Sequence, residues 1–269
     1  MKLFYTAVAL YFMFRISIEL GYIAVLAIIL YMFYKSIPSL IARMAGSALL
    51  KGNTEKALRL YKTATNFSKV SGKIHLSYAT LLLRTGNPEQ AVTEFNLVIM
   101  KNRKKDDIKN RAKQFRSLAY FKLGNTEQAL EDALELFENY KNTITYGLYC
   151  YLMLATNAPI DECYEICKEA YEYNSDDRDI CDNMAAAHIK KGEFSEAKVI
   201  TDEMIEKFPE FTEAYYHAAI IEKELGNKDK ALELINMIDE KCKRTYLTTV
   251  SKEEIENLKN ELNGVTNND

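Results

Sequence analysis

The sequence predicts an all-α solenoid of about six helix pairs, and three observations carry that prediction. One short phrase returns along the 269-residue chain, its returns are almost evenly spaced, and each copy holds residues that end one helix and begin another. Gly52-Asn-Thr-Glu-Lys-Ala57 comes back as Gly86-Asn-Pro-Glu-Gln-Ala91, Gly124-Asn-Thr-Glu-Gln-Ala129, Gly192-Glu-Phe-Ser-Glu-Ala197 and Gly226-Asn-Lys-Asp-Lys-Ala231. A degenerate copy, Ala158-Pro-Ile-Asp-Glu-Cys163, fills the gap. The leading positions 52, 86, 124, 158, 192 and 226 give steps of 34, 38, 34, 34 and 34. A fixed period in this range marks a stack of repeated helix pairs.

Each phrase reads as a corner. The glycine just past a helix end takes a left-handed conformation that other residues resist. Asn53, Asn87, Asn125 and Asn227 offer a side-chain oxygen to the first N–H groups of the next helix. Pro88 falls where a missing N–H costs nothing. The alanine five residues after the glycine is small enough for two helices to approach closely. Four residues further, on the same face, stand Tyr61 and Phe95, replaced by Ala133, Cys167, Thr201 and Ile235 in later copies.

A small residue, three others and then an aromatic, repeated at 34 residues with a closing proline such as Pro209, resembles the tetratricopeptide (TPR) family. The resemblance covers roughly residues 38–245 and implies a right-handed solenoid. It places repeats at 38–71, 72–105, 110–143, 144–177, 178–211 and 212–245. The four extra residues, Lys104-Lys105-Asp106-Asp107, read as a longer polar loop. Ser251 and Glu254 form a capping box ahead of a stripe of Ile255, Leu258 and Leu262. A capping helix over 249–263 would cover the open end of the stack, leaving a frayed tail at 264–269.

The first 37 residues differ in kind. Leu3–Phe14 and Leu20–Tyr34 carry no charge, and Arg15 and Glu19 stand between them. At a bilayer centre those two charges would cost roughly 5–7 kcal/mol, which puts them at an interface. The reading is a transmembrane hairpin with its turn near Arg15–Gly21. A single span, Ile16–Tyr34, is the alternative; at about 28 Å it approaches the hydrocarbon thickness. A buried helix pair of a soluble protein is the third possibility. A cleaved signal peptide is disfavoured, because no small-residue cleavage site precedes the second apolar run.

Net charge, −3, conceals an asymmetry: residues 1–123 hold 20 Lys and Arg against 6 Asp and Glu, and residues 124–269 hold 15 against 32. Lys35, Arg43 and Lys51 follow the second apolar run and read as the membrane-surface residues of a cytoplasmic flank. Five cysteines with no disulfide spacing agree with a reducing compartment. The expected location is therefore a cell membrane, with the repeats facing the cytoplasm. Abundant Lys, Asn, Ile and Tyr point to a bacterium.

No catalytic set can be argued, and an enzyme is not expected. There is no Gly-rich phosphate loop. Cys163 and Cys167 share a helical face but occupy core positions of the repeat, where cysteine packs as a small hydrophobe; no metal site or cofactor is expected. The run from Lys101 to Arg116 holds eight Lys or Arg in sixteen residues. Without a recognition module it suggests anionic lipid or an acidic protein segment, and no nucleic acid.

The resemblance further implies that the first helix of each pair lines a concave face that holds a partner protein or peptide. Carried over by position, that face takes Lys73, Leu76, Thr80 and Arg84 from the second repeat. The third supplies Arg111, Gln114, Leu118, Phe121 and Lys122. Leu148, Tyr149, Leu152, Asp182, Asn183 and Tyr216 come from later repeats. Phe121, Leu148, Tyr149 and Leu152 would form an apolar centre of the kind a binding hot spot needs. The expected function is a membrane-tethered scaffold or adaptor. The alternatives are a self-assembling or anionic-lipid-associated membrane protein, and then a metal or redox protein.

Overall fold

The computed structural model describes residues 2–68, 70–101, 106–156, 158–242 and 244–264, and among them are fourteen helices and no strand. The helices come as α1 (Lys2–Ile16) followed by six successive pairs. These are α2 (Ile18–Leu50) with α3 (Thr54–Thr65), α4 (Gly72–Arg84) with α5 (Pro88–Lys101), and α6 (Asp106–Lys122) with α7 (Thr126–Asn139). Then follow α8 (Thr143–Ala155) with α9 (Ile160–Tyr173), α10 (Arg178–Lys191) with α11 (Phe194–Lys207), and α12 (Thr212–Glu224) with α13 (Lys228–Lys241). A final helix, α14 (Lys252–Asn263), closes the array. The chain divides into two compact units, Met1–Tyr78 and Ala79–Asp269, the boundary falling inside α4.

The corner phrase is a repeated hydrogen-bonding motif. At the end of α10, Gly192 has φ 76° and donates its N–H to Ile189 O at 3.0 Å, while Glu193 N donates to His188 O at 2.9 Å. This is the Schellman arrangement, in which a left-handed residue lets the chain satisfy the last carbonyls of the helix. The same pair of bonds recurs at Gly52, Gly86, Gly124 and Gly226. The next helix starts at once: Ala197 N donates to Glu193 O, as Ala57 N does to Asn53 O. The degenerate copy starts its next helix in the same way, Cys163 N on Pro159 O, but its long bond is shifted by one residue, from Ala158 N to Met153 O, because Pro159 has no N–H. Gly192→Ala should therefore cost about 1–2 kcal/mol, the penalty of a Cβ in the left-handed region. A denaturant midpoint unchanged in that variant would show that the corner relaxes to another turn.

The asparagines do less capping than expected. Asn53 Oδ1 accepts from Lys56 N at 3.0 Å, but neither Asn125 nor Asn227 caps with its side chain. Asn227 Nδ2 turns back to Glu222 Oε2 at 2.7 Å, and Asn87 Nδ2 to Thr85 O at 3.2 Å. Once the main chain has closed the Schellman turn, the amide lies within reach of the preceding helix end.

The small positions are core. Ala57, Ala91, Ala129, Ala197 and Ala231 are fully buried, and Cys163 nearly so. The residues four further on are buried as well, from Tyr61 and Phe95 through Thr201 and Ile235. Such close approach is what stacking requires, because one pair cannot bury its apolar face alone.

Two boundaries in the repeat array differ from expectation. Asp106 and Asp107 open α6 instead of extending a loop, as acidic residues suit a helix N-terminus; residues 104 and 105 lie outside the described residues. The capping helix begins at Lys252, and 249–251 precede it, with Ser251 as its cap. Its capping box is formed, Ser251 N donating to Glu254 Oε2 at 2.6 Å and Glu254 N to Ser251 Oγ at 3.0 Å. Ile255, Leu258 and Leu262 are buried, packed with Tyr215, Leu234 and Ile238. Gly264 ends α14 in the left-handed region; the rest of the tail lies outside the described residues.

In the N-terminal unit the apolar runs form two helices that break at Ser17, a single extended residue (φ −156°, ψ 140°). Gly21 takes the Phe14 ring against its bare Cα; a Cβ there would stand 2.2 Å from that ring. Beyond this contact the surface is strongly apolar and open: Ile16 is 77% exposed, Ile18 68% and Phe33 63%. α2 does not stop where the apolar run ends. It continues through Pro38 to Leu50, so the leading helix of the first pair is the second half of a 33-residue helix. Among the described residues, α2 alone is long and apolar enough to cross a membrane.

Candidate functional site

A cavity of about 510 Å³ opens on the inner side of α6, α8, α10 and α12, entirely within the C-terminal unit. Helical spacing decides which side chains reach it. From α6 come Gln114, Leu118 and Phe121, successive turns of one face. From α8 come Ile144, Leu148 and Tyr151, again at intervals of three and four. Phe121 and Tyr151 meet edge to face, with ring centroids 5.4 Å apart, and join the two helices across the floor. Asn183 Nδ2 on α10 donates to Gly147 O on α8 at 2.8 Å, tying the next pair together.

The rim is polar and mostly acidic. Asp177 caps α10, accepting from Asp179 N at 3.1 Å and Ile180 N at 3.2 Å. Arg178 pairs with Asp179 at 3.3 Å while its guanidinium lies 5.1 Å from the Phe211 ring centroid. Asp182 Oδ1 lies 2.7 Å from His217 Nδ1. Burial works against the His217 imidazolium, but Asp182, with help from Glu213 and Glu254, raises its pKa above the ordinary value. The Tyr151 phenol is pushed up by burial first and then by Glu213, Glu254 and Asp182.

One end of the cavity is closed by the segment between α13 and α14. Thr245 to Thr248 form a tight turn, Thr248 N donating to Thr245 O at 3.1 Å. Glu213 Oε1, on the otherwise buried Glu213 of α12, accepts from both Thr249 N and Thr249 Oγ1 at 2.8 Å. Lys122 Nζ donates to Thr248 O at 3.3 Å and sits 5.6 Å from the Tyr246 ring centroid. Burial lowers the Lys122 pKa, against the raising influence of Glu213 and Glu254.

Of the residues expected to bind a partner, Gln114, Leu118, Phe121, Lys122, Leu148, Asp182 and Asn183 line this cavity. Six others of the C-terminal unit do not, Thr80 and Arg84 of α4 among them. Tyr149 stacks on Phe137 of α7 with centroids 4.9 Å apart, and Leu152 is fully buried against Ala129, Ala133 and Leu136. Tyr216 packs toward the α12–α14 core, and Arg111 is exposed on α6. Lys73 and Leu76 belong to the N-terminal unit, the first exposed and the second buried. Position on α8 explains the exchange: Tyr151 is three residues from Leu148 and shares its face, whereas Tyr149 is turned by about 100°. The closing turn had no local signal, since its contacts with Lys122 span 126 residues of sequence.

The basic run is partly spent inside the fold. Arg116 donates to both carboxylate oxygens of Asp132 and to Asn96 Oδ1, and Lys113 pairs with Glu135. Lys35, Arg43 and Lys51 are exposed along and just past α2. Cys150, Cys163, Cys167 and Cys181 are buried free thiols; burial pushes Cys163 up and Cys181 to about 11, which makes a thiolate scarce. Among the described residues no three His, Cys, Asp or Glu side chains gather as a metal site.

No protein-family model matches the sequence, and no curated protein matches it. Solved structures do. A tetratricopeptide repeat protein from Parabacteroides merdae superposes with TM-score 0.61 at 17% identity, covering 84% of this chain and 98% of its own. A thermophilic TPR protein of Thermus thermophilus gives 0.58 at 16% identity, over 72% and 98%. The pilF protein of Pseudomonas aeruginosa gives 0.59 at 15% identity, over 84% and 98%. At such identities the likeness concerns architecture: this chain has the tetratricopeptide-repeat fold, an all-α solenoid of helix pairs closed by a capping helix.

Proposed function

We propose that this protein is a membrane-tethered scaffold that holds a segment of a partner protein in the cavity between α6, α8, α10 and α12. The observation that carries the reading is the cavity itself. It has an aromatic and aliphatic floor of Leu118, Phe121, Leu148 and Tyr151 within a polar rim, the composition of a recognition site. Its walls are built from helices α6, α8, α10 and α12. The tether is supported by the exposed apolar surface of α1 and α2, far larger than a soluble monomer leaves open. Lys35, one residue beyond the apolar run, and Arg43 and Lys51 after it, suit the cytoplasmic side of a bilayer. The N-terminal helices are read as a hairpin across that bilayer, broken at Ser17.

The test is cross-linking of the full-length protein in its own membranes, with and without the double replacement Phe121→Ala and Tyr151→Ala. Loss of about tenfold or more in captured partner is expected, since two central anchors of a hot spot are removed. Capture at the original level by a folded double variant would remove the cavity from the mechanism. Extraction of the protein by alkaline carbonate would remove the tether.

A further inference from the structure

We infer that the segment held in this cavity is cationic: an extended stretch of polypeptide that lays an apolar side chain on the floor and points Lys or Arg side chains at the acidic rim. This deepens the scaffold reading and rests on it. Five carboxylates line the cavity, Asp177, Asp179, Asp182, Glu210 and Glu213, against two cations, Lys122 and Arg178. Both cations are already engaged within the protein. Lys122 is held by the Thr248 carbonyl and the Tyr246 ring, and Arg178 by Asp179 and Phe211. Neither stands ready for an incoming carboxylate.

Most of the carboxylates are engaged as well, but two keep their side chains open to solvent. Asp179 keeps a side chain 62% exposed even while it pairs with Arg178, and Glu210 is exposed, both on the cavity lining. An acidic ligand would meet this rim with like charges and lose affinity; a cationic one gains and is steered to it. The closing turn supplies an independent argument that the occupant is polypeptide. On this same surface Glu213 already accepts from a main-chain N–H and Lys122 already donates to a main-chain carbonyl. The cavity wall is thus shaped to take peptide groups, and the turn occupies only one end of it.

The experiment uses the full chain in a neutral detergent and two labelled peptides of about ten residues. One alternates lysine and threonine around a central leucine; the other replaces every lysine with glutamate. Anisotropy is read against detergent alone. The lysine peptide is expected to bind at least about tenfold tighter than its acidic counterpart and to weaken as salt rises. The double replacement Asp179→Asn and Glu210→Gln should weaken it about tenfold; both side chains are exposed, so the fold survives, as circular dichroism would verify. Equal or tighter binding of the glutamate peptide overturns the inference, as does binding of neither, or a lysine-peptide affinity untouched by the double replacement. These failures leave the scaffold reading standing if Phe121→Ala with Tyr151→Ala still abolishes cross-linked capture; loss of that effect defeats the reading itself.

Discussion

Phe95→Ala is expected to destabilise the C-terminal unit by about 3–5 kcal/mol. Phe95 is fully buried at the aromatic position of its repeat and lies nearly parallel to Phe115 of α6, with centroids 6.2 Å apart and planes at 13°. Truncation removes the transfer energy of the ring and leaves a void between α5 and α6 that neighbouring helices fill only in part. Because each pair rests on the next, the void weakens an interface as well as a helix. Denaturant unfolding of the full chain in detergent measures the loss. A change below about 1 kcal/mol would show that α5 and α6 close over the space.

The second large effect is electrostatic. Asp132→Ala should cost about 3 kcal/mol, because it strands the Arg116 guanidinium between α6 and α7. Arg116 Nε and Nη2 each meet an Asp132 oxygen, at 2.7 and 2.6 Å, and the Asp132 side chain is only 6% exposed. Burial opposes the Arg116 charge, and the hydrogen bonds and charge of Asp132 more than restore it. The loss therefore measures an orphaned cation more than a missing bond. Removing both charges, as Asp132→Ala with Arg116→Met, should recover at least about half of it. A double variant as unstable as the sum of the singles would show two independent contributions.

The fold was legible because its corners are local. A left-handed glycine, a small residue five positions on and a core residue after that are set by neighbours in sequence, so the phrase at Gly52 or Gly226 can be read without knowing what it packs against. At the degenerate copy, where Pro159 has no N–H to give, Ala158 N takes over the long bond to Met153 O and Cys163 N still opens the next helix on Pro159 O. Asn53 caps its helix while Asn125 and Asn227, in the same kind of turn, do not, and Asn227 bonds Glu222 of the helix before it instead.

The site was legible only in part. Family position set residues of α6, α8 and α10 on one face, and these three helices line the cavity; on α8 it named Tyr149 beside Leu148, where a three-residue step reaches Tyr151. Residues whose role depends on distant chain, Glu213 and the turn from Thr245 to Thr248, carry no pattern of their own. The end of the first apolar unit was hidden for the opposite reason. Pro38 looks like a boundary, yet the helix passes through it, and Ser36 Oγ donates to Phe33 O at 2.7 Å one turn before.

That unbroken helix makes α2 a screw as well as a rod. Every residue added between Tyr34 and Ala45 would carry the helix pair beyond it about 1.5 Å along the axis and swing it by about 100°. Height and heading are therefore not independent. An insertion of two residues would leave α3 facing nearly the opposite way, whereas one of seven would restore its heading to within about 20° while lifting it about 10 Å. Chain length in this stretch is consequently permitted only in steps of about two helical turns if the direction in which the first pair faces is to be kept.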